Sequence, residues 1–204
     1  MLYSILGVFL IGLLCVFFYK KWERFAVVVI SGLLLGLITY FSSFVNEVVQ
    51  GKTVYQHDQW VETLDIHWSF YLDGLSLFFA LLISVFGLLI FLYASRYMKT
   101  DAQRNRFFGF LFLFMGSMLG LVLSANTISL FVFWELTSFS SFLLIGFNHE
   151  NQKSRRAARQ ALLITAGGGL ALMAGLILLE LMTNTGFDLL KALTMAAAVE
   201  SDEL

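Results

Sequence analysis

The stretch LFVFWELTSFSSFLLIGF, Leu130 to Phe147, sets one carboxylate, Glu135, among aromatic and aliphatic side chains. An unpaired carboxylate in such surroundings is costly or takes up a proton, so it needs a partner, water or a task. What lies around the run decides which. Over the 204 residues 59% are hydrophobic and only 13% charged, and the mean hydropathy is +0.82, the composition of an integral membrane protein. A formal net charge of −1 gives no electrostatic basis for binding nucleic acid. The single cysteine, Cys15, cannot close an intrachain disulfide and reads as a small buried hydrophobe.

With about 20 mostly apolar residues taken as the length of a spanning helix, six segments qualify: Leu2–Phe18, Phe25–Val45, Leu75–Tyr93, Phe107–Ser124, Thr127–Phe147 and Leu162–Met182. The first has no basic leader and runs into YKKWER rather than a small-residue cleavage site, so it is expected to remain as a helix. Of the thirteen Lys and Arg residues, Lys20, Lys21 and Arg24 follow the first segment. Arg96, Lys99, Arg104 and Arg106 follow the third, and Lys153, Arg155, Arg156 and Arg159 the fifth. The positive-inside rule places these alternate loops in the cytoplasm and both termini outside. The expected fold is all-α: six transmembrane helices within residues 1–182, then an extracytoplasmic amphipathic tail over 183–204. The terminal Ser-Asp-Glu-Leu only loosely matches an ER-retrieval signal.

Between the second and third segments Glu47, Asp58, Glu62, Asp65 and Asp73 face a single base, Lys52. Here Leu64, Ile66, Trp68 and Phe70 alternate with Asp65, His67, Ser69 and Tyr71, the period of a half-covered strand. A short extracytoplasmic β-hairpin with Thr53–Val61 is expected, its aromatics suited to the membrane interface or a neighbouring subunit. His57 and His67 read as ordinary polar residues, since no Cys or further His completes a metal site.

Glu135 lies two residues from Thr137, the midpoint of its segment, which is about 3 Å along the axis at 1.5 Å per residue. An ionisable residue at that depth is a functional-site hypothesis by default, and proton relays commonly use such carboxylates. Ser138 falls one turn on, with Trp134 and Ser141 flanking and Thr137 further round, a polar stripe on an apolar helix. These hydroxyls either support the carboxylate or bond back to their own helix. Glu180, near the outer end of the sixth segment, is placed to reach the headgroups. No Lys or Arg lies inside any segment, and His149 is about 21 Å along the axis from Glu135, so no base of this chain answers the carboxylate.

The chain has no proline, so a break in a spanning helix would have to come from glycine or inserted side chains and water. TAGGGLALMAG, Thr165 to Gly175, is the natural place. Gly167, Gly168 and Gly169 there could loosen the sixth helix, while Gly167, Ala171 and Gly175 form a small-residue series suited to close packing, the commoner use.

WSFYLDGLSLFFALLIS (Trp68–Ser84), LFLFMGSMLGLVLSANTISLFVFWELTSFSSFLLIGF (Leu111–Phe147) and ALLITAGGGLALMAGLILL (Ala161–Leu179) resemble the N-terminal part of the A subunit of Mrp-type multisubunit sodium/proton antiporters. That subunit is related to the antiporter-like distal subunit of respiratory complex I. The resemblance implies that Glu135 is the family's fifth-helix glutamate, a key residue of proton translocation that works with a lysine on a seventh helix, a position beyond Leu204. Where the complex I subunit has an arginine and an aspartate after the residue corresponding to Thr165, this chain has Ala166 and Gly169, which favours the Mrp form.

The resemblance further implies H+ and Na+ as transported ions, other membrane subunits of a hetero-oligomeric complex as partners, and the lipid bilayer of a bacterial plasma membrane as the location. A secondary transporter subunit rather than an enzyme is expected. The alternatives are a proton-pumping membrane subunit of a complex I-type NADH dehydrogenase, and a truncated chain with a structural role only. Nothing in the sequence points to flavin, nucleotide or iron–sulfur binding, so no cofactor is expected.

Overall fold

The computed structural model describes residues 1–18, 23–61, 66–98, 101–192 and 194–195, apart from the side chains of residues 18, 23–24, 58–61, 66–67 and 101–102. The expected bases Lys20, Lys21 and Lys99, the strand start at Leu64 and Asp65, Glu62, and the acidic end from 196 onward lie outside the described residues, as do the side chains of Arg24, Asp58 and His67. Among the described residues seven helices and one hairpin follow in order: α1 (Leu2–Phe18), α2 (Glu23–Ser42), α3 (Val45–Val49), β1 (Val54–Val61), β2 (Ile66–Leu72), α4 (Gly74–Tyr97), α5 (Asp101–Leu123), α6 (Thr127–Ile145) and α7 (Gln152–Thr183).

Among the described residues five helical stretches are long and apolar enough to cross a membrane: Phe25–Val49, Gly74–Tyr97, Gln103–Leu123, Thr127–Ile145 and Gln152–Thr183. The remaining apolar segment is α1, whose 17 residues sit at the lower end of the range of about 17–25 for a spanning helix.

Two helices begin well before the apolar stretches that announce them. α5 starts at Asp101 rather than Phe107, and α7 at Gln152 rather than Leu162. Hydropathy marks where a helix enters hydrocarbon, whereas Gln, Lys and Arg are good helix formers that carry the backbone pattern further. Asn151 fixes the start of α7, its side-chain oxygen accepting from the Lys153 amide at 2.9 Å.

α5 is the central helix, packed along α1, α4 and α6, while α2 lies on α4 and α7 on α6. Its phenylalanines fill the middle: Phe108 and Phe112 are fully buried, with ring centroids 4.8 and 5.6 Å from Phe91 of α4. Small residues let the axes approach. A β-carbon on Gly12 of α1 would meet Phe112 Cβ at 2.9 Å, one on Gly116 of α5 would meet the Phe9 ring at 2.9 Å, and one on Gly109 would strike Val16. Gly120 is likewise covered by Phe133 of α6, and Gly87 of α4 by Met115.

The hairpin is antiparallel, with Val54 opposite Leu72, Gln56 opposite Phe70 and His57 opposite Ser69. Part of its aromatic face packs against this chain. Phe70 and Leu72 are fully buried, and Trp68 lies between Phe70 and the Phe133 ring of α6, 5.4 Å from the latter. The expected half-covered period is kept in β1, where Val54 and Gln56 are half-buried and Tyr55 and His57 exposed. In β2 Ser69, expected on the open face, is buried as well, its carbonyl accepting from the Ala125 amide.

Loops gather at two ends. At one, the Met1 amino group donates to Gln56 Oε1 at 2.7 Å and Tyr40 Oη at 3.2 Å, and the Ala125 amide donates to the Ser69 carbonyl at 2.8 Å. The chain leaving α7 joins the same end, where the Thr127 amide donates to the Phe187 carbonyl and the Leu189 amide to the Ala125 carbonyl, both at 2.9 Å. The tail expected beyond α7 thus begins as a segment pinned to the start of α6, with helical turns at 189–192. At the other end Arg106 Nη2 donates to the Phe147 carbonyl at 2.8 Å with its guanidinium 5.0 Å from that ring, and Arg155 Nη1 donates to the His149 carbonyl at 2.6 Å.

Candidate functional site

Glu135 stands one residue from the midpoint of the 19-residue helix α6. The helix is set in place at its start by Asn126, whose side-chain oxygen accepts from the Ile128 and Ser129 amides at 2.9 and 3.2 Å. Phe133, buried against Gly120, fixes its rotation, so that Glu135, two residues on, turns away from α5 toward the seam with α7.

In that seam the carboxylate lies against Gly169. A β-carbon built on Gly169 would clash with Glu135 Oε1 and lie 3.2 Å from Glu135 Cδ and 3.5 Å from the indole nitrogen of Trp134. Gly169 and Ala158 are the buried residues of α7. Ala158 meets Gly146 at the other end of the seam, its methyl 3.2 Å from where a β-carbon on Gly146 would be. Eleven residues separate 135 from 146 and eleven separate 158 from 169. Because eleven residues are close to three turns at 3.6 per turn, both contacts lie on one face of each antiparallel helix.

The neighbouring hydroxyls are placed as follows. Thr137 Oγ1 and Ser138 Oγ both donate to the Trp134 carbonyl, at 2.7 and 3.2 Å, the back-bonding use that the sequence left open. Ser138 is buried, and Ser141 is half-buried further along the helix. Among the described residues no hydrogen-bond donor or cation reaches the Glu135 carboxylate, which is half-buried. His149 sits in the turn after α6 and is engaged there with Arg106, 3.2 Å away.

The glycine triplet remains helical throughout, within an α7 that is continuous from Gln152 to Thr183. Gly167, Gly168 and Gly175 meet nothing within 4 Å, so the small-residue series faces away from this chain's own helices. Gly169 is the member of the triplet with a packing role; the sequence sets it apart only as one of the two positions that differ from the complex I form, and says nothing of a contact with Glu135. Only the register of α6 against α7 shows that contact.

Two family models match this chain. "NADH-Ubiquinone oxidoreductase (complex I), chain 5 N-terminus" matches residues 59–108, and "NADH:quinone oxidoreductase/Mrp antiporter, TM" matches residues 124–203, which include Glu135 and Gly169. An antiporter subunit mnhA2 of Staphylococcus haemolyticus is 42% identical over 181 residues, 87% of this chain and 22% of its own length. A Na(+)/H(+) antiporter subunit A1 of Staphylococcus aureus is 45% identical over 149 residues, 73% of this chain and 19% of its own length. The chain thus spans about a fifth of the length of these relatives. Among solved structures, one chain of the Mrp complex from Dietzia sp. superposes with a TM-score of 0.78 at 28% identity, covering 90% of this chain and 20% of that one. A chain of respiratory complex I from Thermus thermophilus superposes at 0.71 with 22% identity, covering 94% of this chain and 38% of that one, a likeness of fold.

Proposed function

As a chain that belongs, over the residues matched, to the antiporter-like membrane-subunit family shared by Mrp antiporters and NADH:quinone oxidoreductases, this is a multi-pass protein of the plasma membrane, and we propose that it is the N-terminal part of the A subunit of a Na+/H+ antiporter in which Glu135 carries protons. The observation that carries the reading is the Glu135 carboxylate at the centre of α6, set into the seam with α7 and facing no cation among the described residues. A mid-membrane carboxylate with no fixed ion pair is the kind of group that proton relays use.

The proposed arrangement has six spans, α1 included, both termini outside and the hairpin on the outer surface. The end that carries Arg106, Lys153, Arg155, Arg156 and Arg159 would then face the cytoplasm. The unit is read as a transporter subunit without a cofactor of its own, working with further membrane subunits, and its transported ions as H+ and Na+. Residues 1–182 form the membrane domain and 183–204 an outer tail.

One observation favours a second reading, a proton-pumping subunit of a complex I-type dehydrogenase: the model matched at residues 59–108 is that of a complex I chain. Against it stand the antiporter subunits at 42% and 45% identity. Replacement of Glu135 by Gln tests the favoured reading, because the amide keeps the size of the side chain but cannot titrate. In everted vesicles containing the intact complex, Glu135→Gln is expected to abolish Na+-dependent proton movement. Exchange at the unsubstituted rate would overturn the reading.

A further inference from the structure

We propose that Gly169 is a positioning residue for Glu135: the absent side chain is the space in which the carboxylate sits, and the notch keeps that carboxylate in the α6–α7 seam. This rests on the reading of Glu135 as the proton-carrying group. Three observations support it.

The first is occupancy. A β-carbon at 169 would clash with Glu135 Oε1, so any residue other than glycine must displace the carboxylate or the helix. The second is that α7 is held on both sides of the notch. Ala158 packs beside Gly146 three turns away, its methyl 3.2 Å from where a β-carbon on Gly146 would be, and beyond the opposite end the backbone bonds from Thr127 to the Phe187 carbonyl and from Leu189 to the Ala125 carbonyl tie the chain after α7 to the start of α6. Moving α7 outward enough for a methyl group would strain these bonds, whereas a glutamate side chain has three rotatable bonds and turns aside more easily. The carboxylate is therefore what moves. The third is selectivity within the triplet: Gly167 and Gly168 have open space around them, so glycine at those positions answers no such steric demand. The Trp134 indole nitrogen flanks the same notch, which gives its rim a polar edge.

The consequence is a coupling between residues 169 and 135 that a glycine needed only for helix packing would not produce. A carboxylate displaced by an ångström from its working position can lose about a hundredfold in a positioned step, so Gly169→Ala is expected to lower Na+-dependent proton movement in the intact complex by at least about tenfold. Asp at 135 is shorter by one methylene and already withdraws from the notch. Gly169→Ala is then expected to change the rate of the Glu135→Asp complex by less than about twofold, whatever the residual rate of that variant. An equal fold-loss in both backgrounds would overturn the proposal.

Where Gly169→Ala alone prevents assembly, complex yield in mild detergent is read instead, in Glu135→Ala and in Glu135→Ala/Gly169→Ala. Equal yields support the notch, because the carboxylate that the methyl would strike is gone. A lower yield of the double variant overturns it. Full exchange by Glu135→Gln would remove the proton role while leaving the yield comparison to decide the notch on its own.

Discussion

Two carboxylates on neighbouring helices are treated in opposite ways. Glu180, in the last turn of α7, is wrapped by the chain that follows: Gly186 donates its amide to Oε1 at 2.9 Å, and the Phe187 amide and Thr185 hydroxyl donate to Oε2 at 2.9 and 3.2 Å. Those donors hold Asn184, Gly186 and Phe187 in left-handed backbone conformations, which for the two non-glycine residues cost on the order of 1 kcal/mol or more each. Glu180 therefore stabilises the turn that ends α7. Glu180→Ala is expected to destabilise the protein by about 1 kcal/mol and to speed hydrogen exchange at the Gly186 and Phe187 amides, leaving the dependence of proton movement on Na+ unchanged. Glu135 is given no such donors among the described residues. Its depth was legible because it depends only on the lengths of apolar runs. Its companion Gly169 was legible as a residue and not as a partner, because a contact between helices 34 positions apart depends on register.

At the scale of elements, the hairpin and α4 meet at a cap whose chemistry can be titrated. Asp73 Oδ1 accepts from the Ser76 amide at 2.8 Å and the Ser76 hydroxyl at 2.6 Å, while Ser76 Oγ accepts from the Asp73 amide at 2.8 Å, a reciprocal capping box. Burial pushes the Asp73 carboxyl up, but the Ser76 hydroxyl and then the backbone amides outweigh it, and the carboxyl ends below the ordinary carboxylate range. A lowered folded value means that the cap stabilises above about pH 4, the ordinary aspartate range, and loses its contribution as pH falls through the folded value. Asp73→Ala is expected to cost about 1 kcal/mol at neutral pH, with the gap between the variant's and the natural protein's melting temperatures in detergent narrowing as pH is lowered below about 4. The hairpin itself was readable, since alternation survives in the sequence whenever one face is covered. The element pairings were not. The helices are apolar all round, so no stripe says that α1 lies on α5 almost a hundred residues away, and the deciding features are single glycines. Glycine at 116 sits under the Phe9 ring; Gly116→Leu is expected to lower stability by about 1–3 kcal/mol through overpacking, whereas Gly32→Leu, at a position with nothing within 4 Å, is expected to leave the melting temperature of the purified protein within about 1 °C.

For the whole molecule, the distribution of ionisable groups decides what the chain can do alone. The basic side chains of the described spans lie toward their ends: Arg96 in the last turn of α4, Arg104 and Arg106 in the first turns of α5, and Lys153 to Arg159 in the first turns of α7. Midway along the helices there is one titratable carboxylate, Glu135, and it lies in the outermost seam of the bundle, between α6 and α7. Hydrocarbon about 30 Å thick cannot be crossed by a proton on one carboxylate, because each transfer needs a donor and an acceptor within hydrogen-bond reach, about 3 Å. On the proposed reading the remaining relay groups come from other polypeptide segments, and α7, largely exposed and with its small residues Gly167, Ala171 and Gly175 uncovered, offers the adjoining surface. The 204-residue chain reconstituted alone in proteoliposomes is therefore expected to insert and to leave proton flux at the protein-free level, with or without a Na+ gradient, as followed by an entrapped pH dye. Na+-driven acidification by the chain alone would mean that Glu135 is served by water and hydroxyls within these helices, and that a second base is not required.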